Sequence, residues 1–235
     1  MLKRVLVSFK HFQLYTMKLF CIPGFGVDDK IFNNLSLNAD LHFINWLDPL
    51  PKETLHDYAA RMAASIDEDE PVILGISFGG MIAQEIAKQR PVKQIILVSS
   101  VKSRSELPRH LKTIGMLRLD KLFPVKKVQQ SDEFYKVANK RLGAVTKEEQ
   151  EFANVYRKNA NLNYVNWSFD KILNWKNTTC PEGTLHIHGN RDRVFPIKTI
   201  KPTHIIEGGT HMMVWNRAGE ISSIINEALA NLDAG

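Results

Sequence analysis

The chain has 235 residues, 44% of them hydrophobic, enough apolar material for one packed core without a division into two domains. Its 31 Lys and Arg against 25 Asp and Glu leave a formal charge of +6, a modest excess that favours solubility and attraction of anions without requiring a nucleic-acid partner. The two cysteines, Cys21 and Cys180, are far apart with no CxxC spacing, which argues against a disulfide framework or a thiolate zinc site and fits a reducing cytoplasm.

At the amino terminus Lys3, Arg4 and the apolar run Val5 to Val7 have the outline of a secretory signal. Ser8, Lys10 and His11 break that run short of the ~7–15 apolar residues of an export core, and no small-residue cleavage site follows. Residues 1–16 read as an extension or an added edge strand, because Met17 opens a run, Met17 to Gly24, that would serve as a natural start. No stretch approaches the ~20 apolar residues that span a bilayer, so a soluble protein without stable membrane insertion is expected.

From Met17 onward, short apolar runs alternate with helical patterns, the signature of strands joined by crossover helices in a mostly parallel sheet. The predicted strands are Lys18 to Ile22, His42 to Leu47, Pro71 to Ile76, Gln94 to Ser99, Thr184 to His188 and His204 to Glu207. Between the second and third, Leu55, Tyr58, Ala59, Met62 and Ile66 recur at helical spacing, and Thr54 with Asp57 predicts a capping box. A final helix follows Asn216 as N-cap, with Ile221, Ile225, Ala228, Leu229 and Leu232 on one face. The segment from about 101 to 182 breaks the rhythm: it is polar and helix-like, with Phe123, Phe134, Tyr135, Phe152, Tyr156, Trp167 and Trp175 among charges. A loop of that length is improbable in a compact domain, so an inserted helical cap over the sheet is expected.

The chemistry begins at Gly75-Ile76-Ser77-Phe78-Gly79-Gly80. A buried-looking strand runs into Ser77 and a helical pattern, Met81, Ile82, Ile86 and Ala87, follows at once. This is the strand-turn-helix setting of a GxSxG nucleophile elbow, in which glycines let strand and helix approach closely around a strained serine. A serine hydroxyl needs a base, and of the eight histidines His211 has the best setting, in Gly208-Gly209-Thr210-His211 just past a strand. Catalytic groups of open α/β sheets collect at such carboxyl ends. His186 and His188 lie within a strand on one face, where satisfied structural histidines are the simpler reading. The acid candidate is Asp192 in His188-Gly189-Asn190-Arg191-Asp192, also just past a strand; an ordinary turn-forming Asp is the alternative.

Three separated blocks, Pro23-Gly24-Phe25-Gly26, Gly75 to Gly80, and the paired Gly189-x-x-Asp192 and Gly209-Thr210-His211, resemble the α/β-hydrolase family over nearly the whole chain from Met17. The chain order Ser77, Asp192, His211 is that family's order of triad residues. The resemblance implies a parallel sheet flanked by helices, a Ser77–His211–Asp192 triad, and an oxyanion hole made by the backbone amides of Phe25 and Phe78, with Gly24, Gly75, Gly79 and Gly80 as loop and elbow glycines. Pro23-Gly24 replaces the family's usual His-Gly, which puts loop packing in doubt more than function, because the family contact is a backbone amide.

The activity implied is hydrolysis of a small carboxylic ester through an acyl-enzyme, needing no metal or organic cofactor. Thioesterase chemistry and non-hydrolytic lyase work with the same triad stay open, as does a non-catalytic binding role, because fold and triad do not separate them. The densest basic stretch, Lys102, Arg104, Arg109, Lys112, Arg118, Lys121, Lys126 and Lys127, suits an anionic thioester or a membrane surface, but reads more simply as a solvated helix face.

Overall fold

The computed structural model describes residues 17–119 and 131–233. The expected extension or edge strand over 1–16 lies outside the described residues, as do Lys121, Phe123, Lys126 and Lys127 of the expected cap.

Among the described residues six strands, β1 (Lys18–Ile22), β2 (Asp40–Phe43), β3 (Val72–Ile76), β4 (Gln94–Val98), β5 (Leu185–Gly189) and β6 (His204–Ile206), form one sheet in the order β2-β1-β3-β4-β5-β6. Every pairing is parallel. The helices α1 (Leu55–Ala63), α2 (Phe78–Ala87), α3 (Arg109–Met116), α4 (Asp132–Leu142), α5 (Lys147–Asn159), α6 (Leu162–Leu173), α7 (Met213–Asn216) and α8 (Ala218–Asp233) connect and cover it.

Parallel sheets are covered on both faces, which is why β3 reads Val-Ile-Leu-Gly-Ile and is buried throughout. Alternate side chains enter two cores. Phe20, Ile22, Ile73 and Leu97 pack with Tyr58 and Met62 of α1 and Ile82 and Ile86 of α2. Leu19, Leu74, Ile96 and Ile187 pack with Ile221, Ile225 and Leu229 of α8. The chain moves outward from β1 to β2 and then returns to the other side of β1 for β3, so the strand order reverses between β1 and β3. The crevice beyond the carboxyl ends of that pair is where open α/β sheets bind ligands.

Three local expectations are corrected. The second strand is Asp40–Phe43, not His42 to Leu47: it pairs only with β1, whose partner residues run from Lys18 to Cys21. Past the Ile44 N–H to Cys21 O bond the chain leaves the sheet, and Trp46 is freed for another use. Thr54 caps α1 by accepting from Asp57 N at 3.1 Å, but its hydroxyl donates to the Asp57 carboxylate at 2.7 Å. Asp is one methylene shorter than Glu, and the reciprocal box forms instead at Thr146 and Glu149 in α5. Asn216 closes the short helix α7 rather than capping α8, and its amide donates to Glu149 Oε1 at 2.8 Å.

Between β4 and β5 the described residues are largely helical, and they are tied to the segment before α1 and to α2. Trp167 Nε1 donates to Glu53 O at 3.1 Å and Trp175 Nε1 to the buried Glu85 carboxylate at 2.7 Å. Cations of the basic stretch add further ties. Lys102 donates to Lys201 O, Arg104 to Leu173 O and Trp175 O, Lys112 to Ser105 O, and Arg118 pairs with Asp170 at 2.8 Å. Among the described residues no helix is long and apolar enough to cross a membrane.

On β5, His186 and His188 are fully buried on one face. Burial and the neighbouring His188 push His186 down to about 3 despite its bond to Ser100 O. The folded protein therefore keeps His186 neutral while the unfolded chain takes up a proton below about pH 6.5. The stability contributed is complete above that pH and is lost as pH falls from about 6.5 toward 3. His186→Leu should flatten the acid side of the stability profile, lowering proton uptake on unfolding by about one, or ~1.4 kcal/mol per pH unit. Urea unfolding at pH 7, 5.5 and 4 measures it; equal slopes for both proteins would contradict this account.

Candidate active site

Ser77 stands between β3 and α2 at φ 52° and ψ −115°, a left-handed backbone that a non-glycine residue holds only when its surroundings force it. The glycines around it supply that force. A Cβ on Gly79 would lie 2.3 Å from Pro23 O, one on Gly75 2.5 Å from Gly80 Cα, and one on Gly80 2.4 Å from Ser100 Oγ. Gly24 differs: a Cβ there would meet Ile76 and Ser77 at an ordinary 3.7 Å. It belongs to the loop but is not demanded by packing. Ser77 N donates to Val98 O, and its carbonyl accepts from Gly80 N and from the Ser100 hydroxyl at 2.6 Å, so the turn is fixed on both sides.

The expected acid and base arrive on two loops that are laced together. Arg191 N donates to Gly209 O at 2.8 Å, Asn190 N to Ile206 O, and Gly208 N to the Asn190 side chain. Gly189 and Gly209 touch so closely that a Cβ on Gly189 would sit 2.2 Å from Gly209 O. The result brings all three residues into contact: His211 Nε2 is 2.9 Å from Ser77 Oγ, and His211 Nδ1 is 2.7 Å from Asp192 Oδ2. With Nδ1–H donating to the carboxylate, Nε2 is left to accept the serine proton.

Asp192 is buried, and its second oxygen accepts from Val194 N at 2.7 Å and Phe195 N at 2.8 Å. Burial favours the protonated carboxyl, but the charge and hydrogen bond of His211, the proximity of His188 and the Phe195 N–H outweigh it and hold Asp192 below the usual carboxylate range. The group is an anion that supports positive charge on His211.

Phe78 opens α2, where the first amides lack intrahelical partners. Its ring is buried against Trp46, with centroids 5.4 Å apart and planes 16° apart, and edge-on to Trp167. Phe25 is half-buried, stacked on Tyr164 at 5.9 Å and edge-on to Phe169 at 5.1 Å. Helix α6 thus puts Tyr164, Trp167 and Phe169 against the residues beside Ser77, an apolar wall of the kind that ligand sites use.

Two residues of the site are not legible in the sequence. Trp46 Nε1 donates to both Gly24 O at 3.1 Å and Val27 O at 3.0 Å, clamping the loop that carries Phe25 while its ring lies on Phe78. This clamp answers the doubt raised by Pro23-Gly24. Ser100, just past β4, is the other; its only sequence signal is a polar pair, Ser99-Ser100, closing an apolar strand.

Two clefts, of about 700 and 590 Å³, open beside the acid loop. Their walls include Lys136, Lys140 and Arg141 of α4 with Arg191 and Arg193, none of which forms an ion pair among the described residues. Ser77 lines neither, so cleft size does not single out the hydrogen-bonded group of Ser77, His211 and Asp192.

An open parallel α/β sheet with a serine, a histidine and an aspartate joined at its carboxyl edge defines a hydrolase-like architecture. The model of the alpha/beta hydrolase family matches residues 11–223, and the chain belongs to that family. No curated protein matches the sequence. Among solved structures, an esterase from Thermogutta terrifontis is similar at a TM-score of 0.71 and 16% identity, covering 92% of this chain and 90% of that one. A meta-cleavage product hydrolase from Pseudomonas fluorescens gives 0.65 and 16% with 93% and 92% covered, and an epoxide hydrolase from Bacillus megaterium 0.67 and 12% with 92% and 93%. At these identities the likeness is one of fold.

The glycine contacts make a paired prediction. Gly79→Ala should destabilise by about 1–3 kcal/mol or more, because its methyl meets backbone that cannot retreat. Gly24→Ala should change stability by less than about 1 kcal/mol. Thermal unfolding of both checks it, and equal losses would refute the distinction.

Proposed function

We propose that the chain hydrolyses small carboxylic esters through an acyl-enzyme on Ser77. The observation that carries this reading is the continuous pair of contacts, Ser77 Oγ to His211 Nε2 at 2.9 Å and His211 Nδ1 to Asp192 Oδ2 at 2.7 Å, on a serine held at a left-handed turn. Ser77 attacks the acyl carbonyl as His211 takes its proton, and Asp192 stabilises the imidazolium. His211 then returns that proton to the leaving alcohol. Water, deprotonated by the same histidine, releases the acid and regenerates Ser77. The amides of Phe25 and Phe78 receive the oxyanion; the amide of Phe78, free at the start of α2, and the positive end of that helix support this assignment.

The unpaired cations of the two clefts favour a second reading, in which the same serine acts on a thioester bearing an anionic carrier. A p-nitrophenyl ester series run beside acetyl-coenzyme A separates the two. Turnover of the neutral esters alone supports the first, and a strong preference for the thioester supports the second.

Ser77→Ala should leave the fold intact and retain no more than a few per cent of the activity, while Asp192→Asn lowers kcat by up to about 10⁴-fold through the wrong His211 tautomer. Labelling by a fluorophosphonate, with mass mapping of the adduct, checks the nucleophile directly. Modification at another residue, or an active Ser77→Ala protein, would end the triad reading.

Trp46→Phe tests the oxyanion loop. It keeps a ring on Phe78 but deletes the N–H that clamps Gly24 and Val27. Since a lost oxyanion donor costs about 10²–10³ in kcat, a loosened one should cost roughly tenfold with little change in KM. A change in KM alone, with kcat intact, would assign Trp46 to substrate binding instead.

A further inference from the structure

The triad does not use His188, yet His188 stands directly behind its acid. The side chain is fully buried, and Nε2 lies 2.8 Å from Phe195 O and 3.6 Å from Asp192 Oδ2, the oxygen that receives His211. A carbonyl only accepts, so Nε2 carries a hydrogen. Nδ1 is buried with no hydrogen-bond partner among the described residues, an arrangement that burial tolerates far better for a neutral ring than for a charged one.

We propose that His188 is a positioning residue for the acid: its Nε2–H pins Phe195 O and faces Asp192 Oδ2, holding the 192–195 turn so that the carboxylate is aimed at His211. The turn is closed from within by Val194 N and Phe195 N on the other carboxylate oxygen, and the Phe195 ring stands edge-on to the His211 ring at 5.5 Å. Fixing Phe195 O therefore fixes both the acid and one wall of the base. A neutral His188 also leaves the carboxylate's charge to His211, whereas a cation there would compete for it. The ionisable groups acting on His188 are Asp192, His211 and Glu106, with His186 at 5.5 Å ring to ring. Burial, the largest effect, lowers its basicity.

This inference rests on the triad reading, and the test separates the two. The readout is the rate at which a fluorophosphonate modifies Ser77, with fluoride leaving as the Ser Oγ–P bond forms and His211 taking the serine proton, followed across pH. His188→Leu should slow labelling by about 10- to 100-fold, as a small misplacement of reacting groups does, and should move the acidic limb toward lower pH because a poorly aimed Asp192 supports the imidazolium less. His188→Gln, which keeps an N–H near the Nε2 position, should restore most of the rate and the limb. His186→Leu removes an equally buried strand histidine that does not touch the 192–195 turn and should leave the limb in place. If wild-type Ser77 is not labelled, the triad falls and this proposal with it. If it is labelled and His188→Leu leaves rate and limb unchanged, or Gln fails to rescue, only the role of His188 is overturned. Should the Leu variant not fold, ¹⁵N NMR of the wild-type rings decides: His188 must remain the neutral Nε2–H tautomer throughout the limb, and titration of its ring together with His211, or an Nδ1–H tautomer, refutes the proposal.

Discussion

The backbone at Ser77 is the constraint to which the rest of the site answers. A serine at φ 52° is disfavoured, typically by about 1–3 kcal/mol, and it persists here because strand, helix and loop close on it at van der Waals limits. Gly79 lies against the β1–loop carbonyls of Ile22 and Pro23, and Gly80 against Ser100 beyond β4. Ser77 is thus clamped by the two strands on either side of its own. Moving it would mean moving the centre of the sheet, where β3 is buried at every residue. Ser77 is placed by buried, closely interlocked backbone, the kind of support that holding groups within a fraction of an ångström requires.

The loops that complete the site are held by a different device. The loop after β1 has no glycine-forced contact at Gly24 and depends on the Trp46 indole, whose single N–H serves two carbonyls. Trp46 in turn stacks on Phe78 and meets the tilted ring of Tyr164. Helix α6 therefore does more than cover the sheet: by packing Tyr164 on Trp46 and Phe25, it couples the inserted helices to the loop that would receive the oxyanion. A displacement of α6 would be felt at that loop through contacts of aromatic rings, which are large and rigid.

The sheet and the site are legible in the sequence to different depths. The central strands can be read because parallel strands covered on both faces, such as β3 and β4, are nearly continuous apolar runs, and Ser77, Asp192 and His211 because each stands within about five residues of a strand's carboxyl end. The end of β2 is not legible: Asn45, Trp46 and Leu47 continue an apolar pattern, and nothing local says that the partner strand has ended at Cys21. Trp46 and Ser100 escape a linear reading for a related reason. Their roles are hydrogen bonds to backbone carbonyls distant in the chain, and carbonyls carry no sequence identity. The basic stretch shows the converse, since its cations look free along the chain, and the fold engages Arg104 and Arg118 with Leu173, Trp175 and Asp170, some 50 to 70 residues away.

The histidines of β5 show where the simpler sequence reading and a functional one meet. A strand whose other face presents Leu185 and Ile187 to a core could carry two more aliphatic side chains with less penalty, since His186 and His188 each leave a buried Nδ1 without a hydrogen-bond partner among the described residues, a desolvation loss of about 1–3 kcal/mol apiece. Their Nε2 atoms meet backbone carbonyls that adjoin the site: Ser100 O, beside the hydroxyl that holds the Ser77 carbonyl, and Phe195 O, beside the amide that holds Asp192. An aliphatic residue could fill the same space but could not bind a carbonyl. Stability given up inside the sheet thus comes with carbonyl contacts at two segments that also touch Ser77 and His211, the trade expected where a local rule of burial is broken close to a functional site.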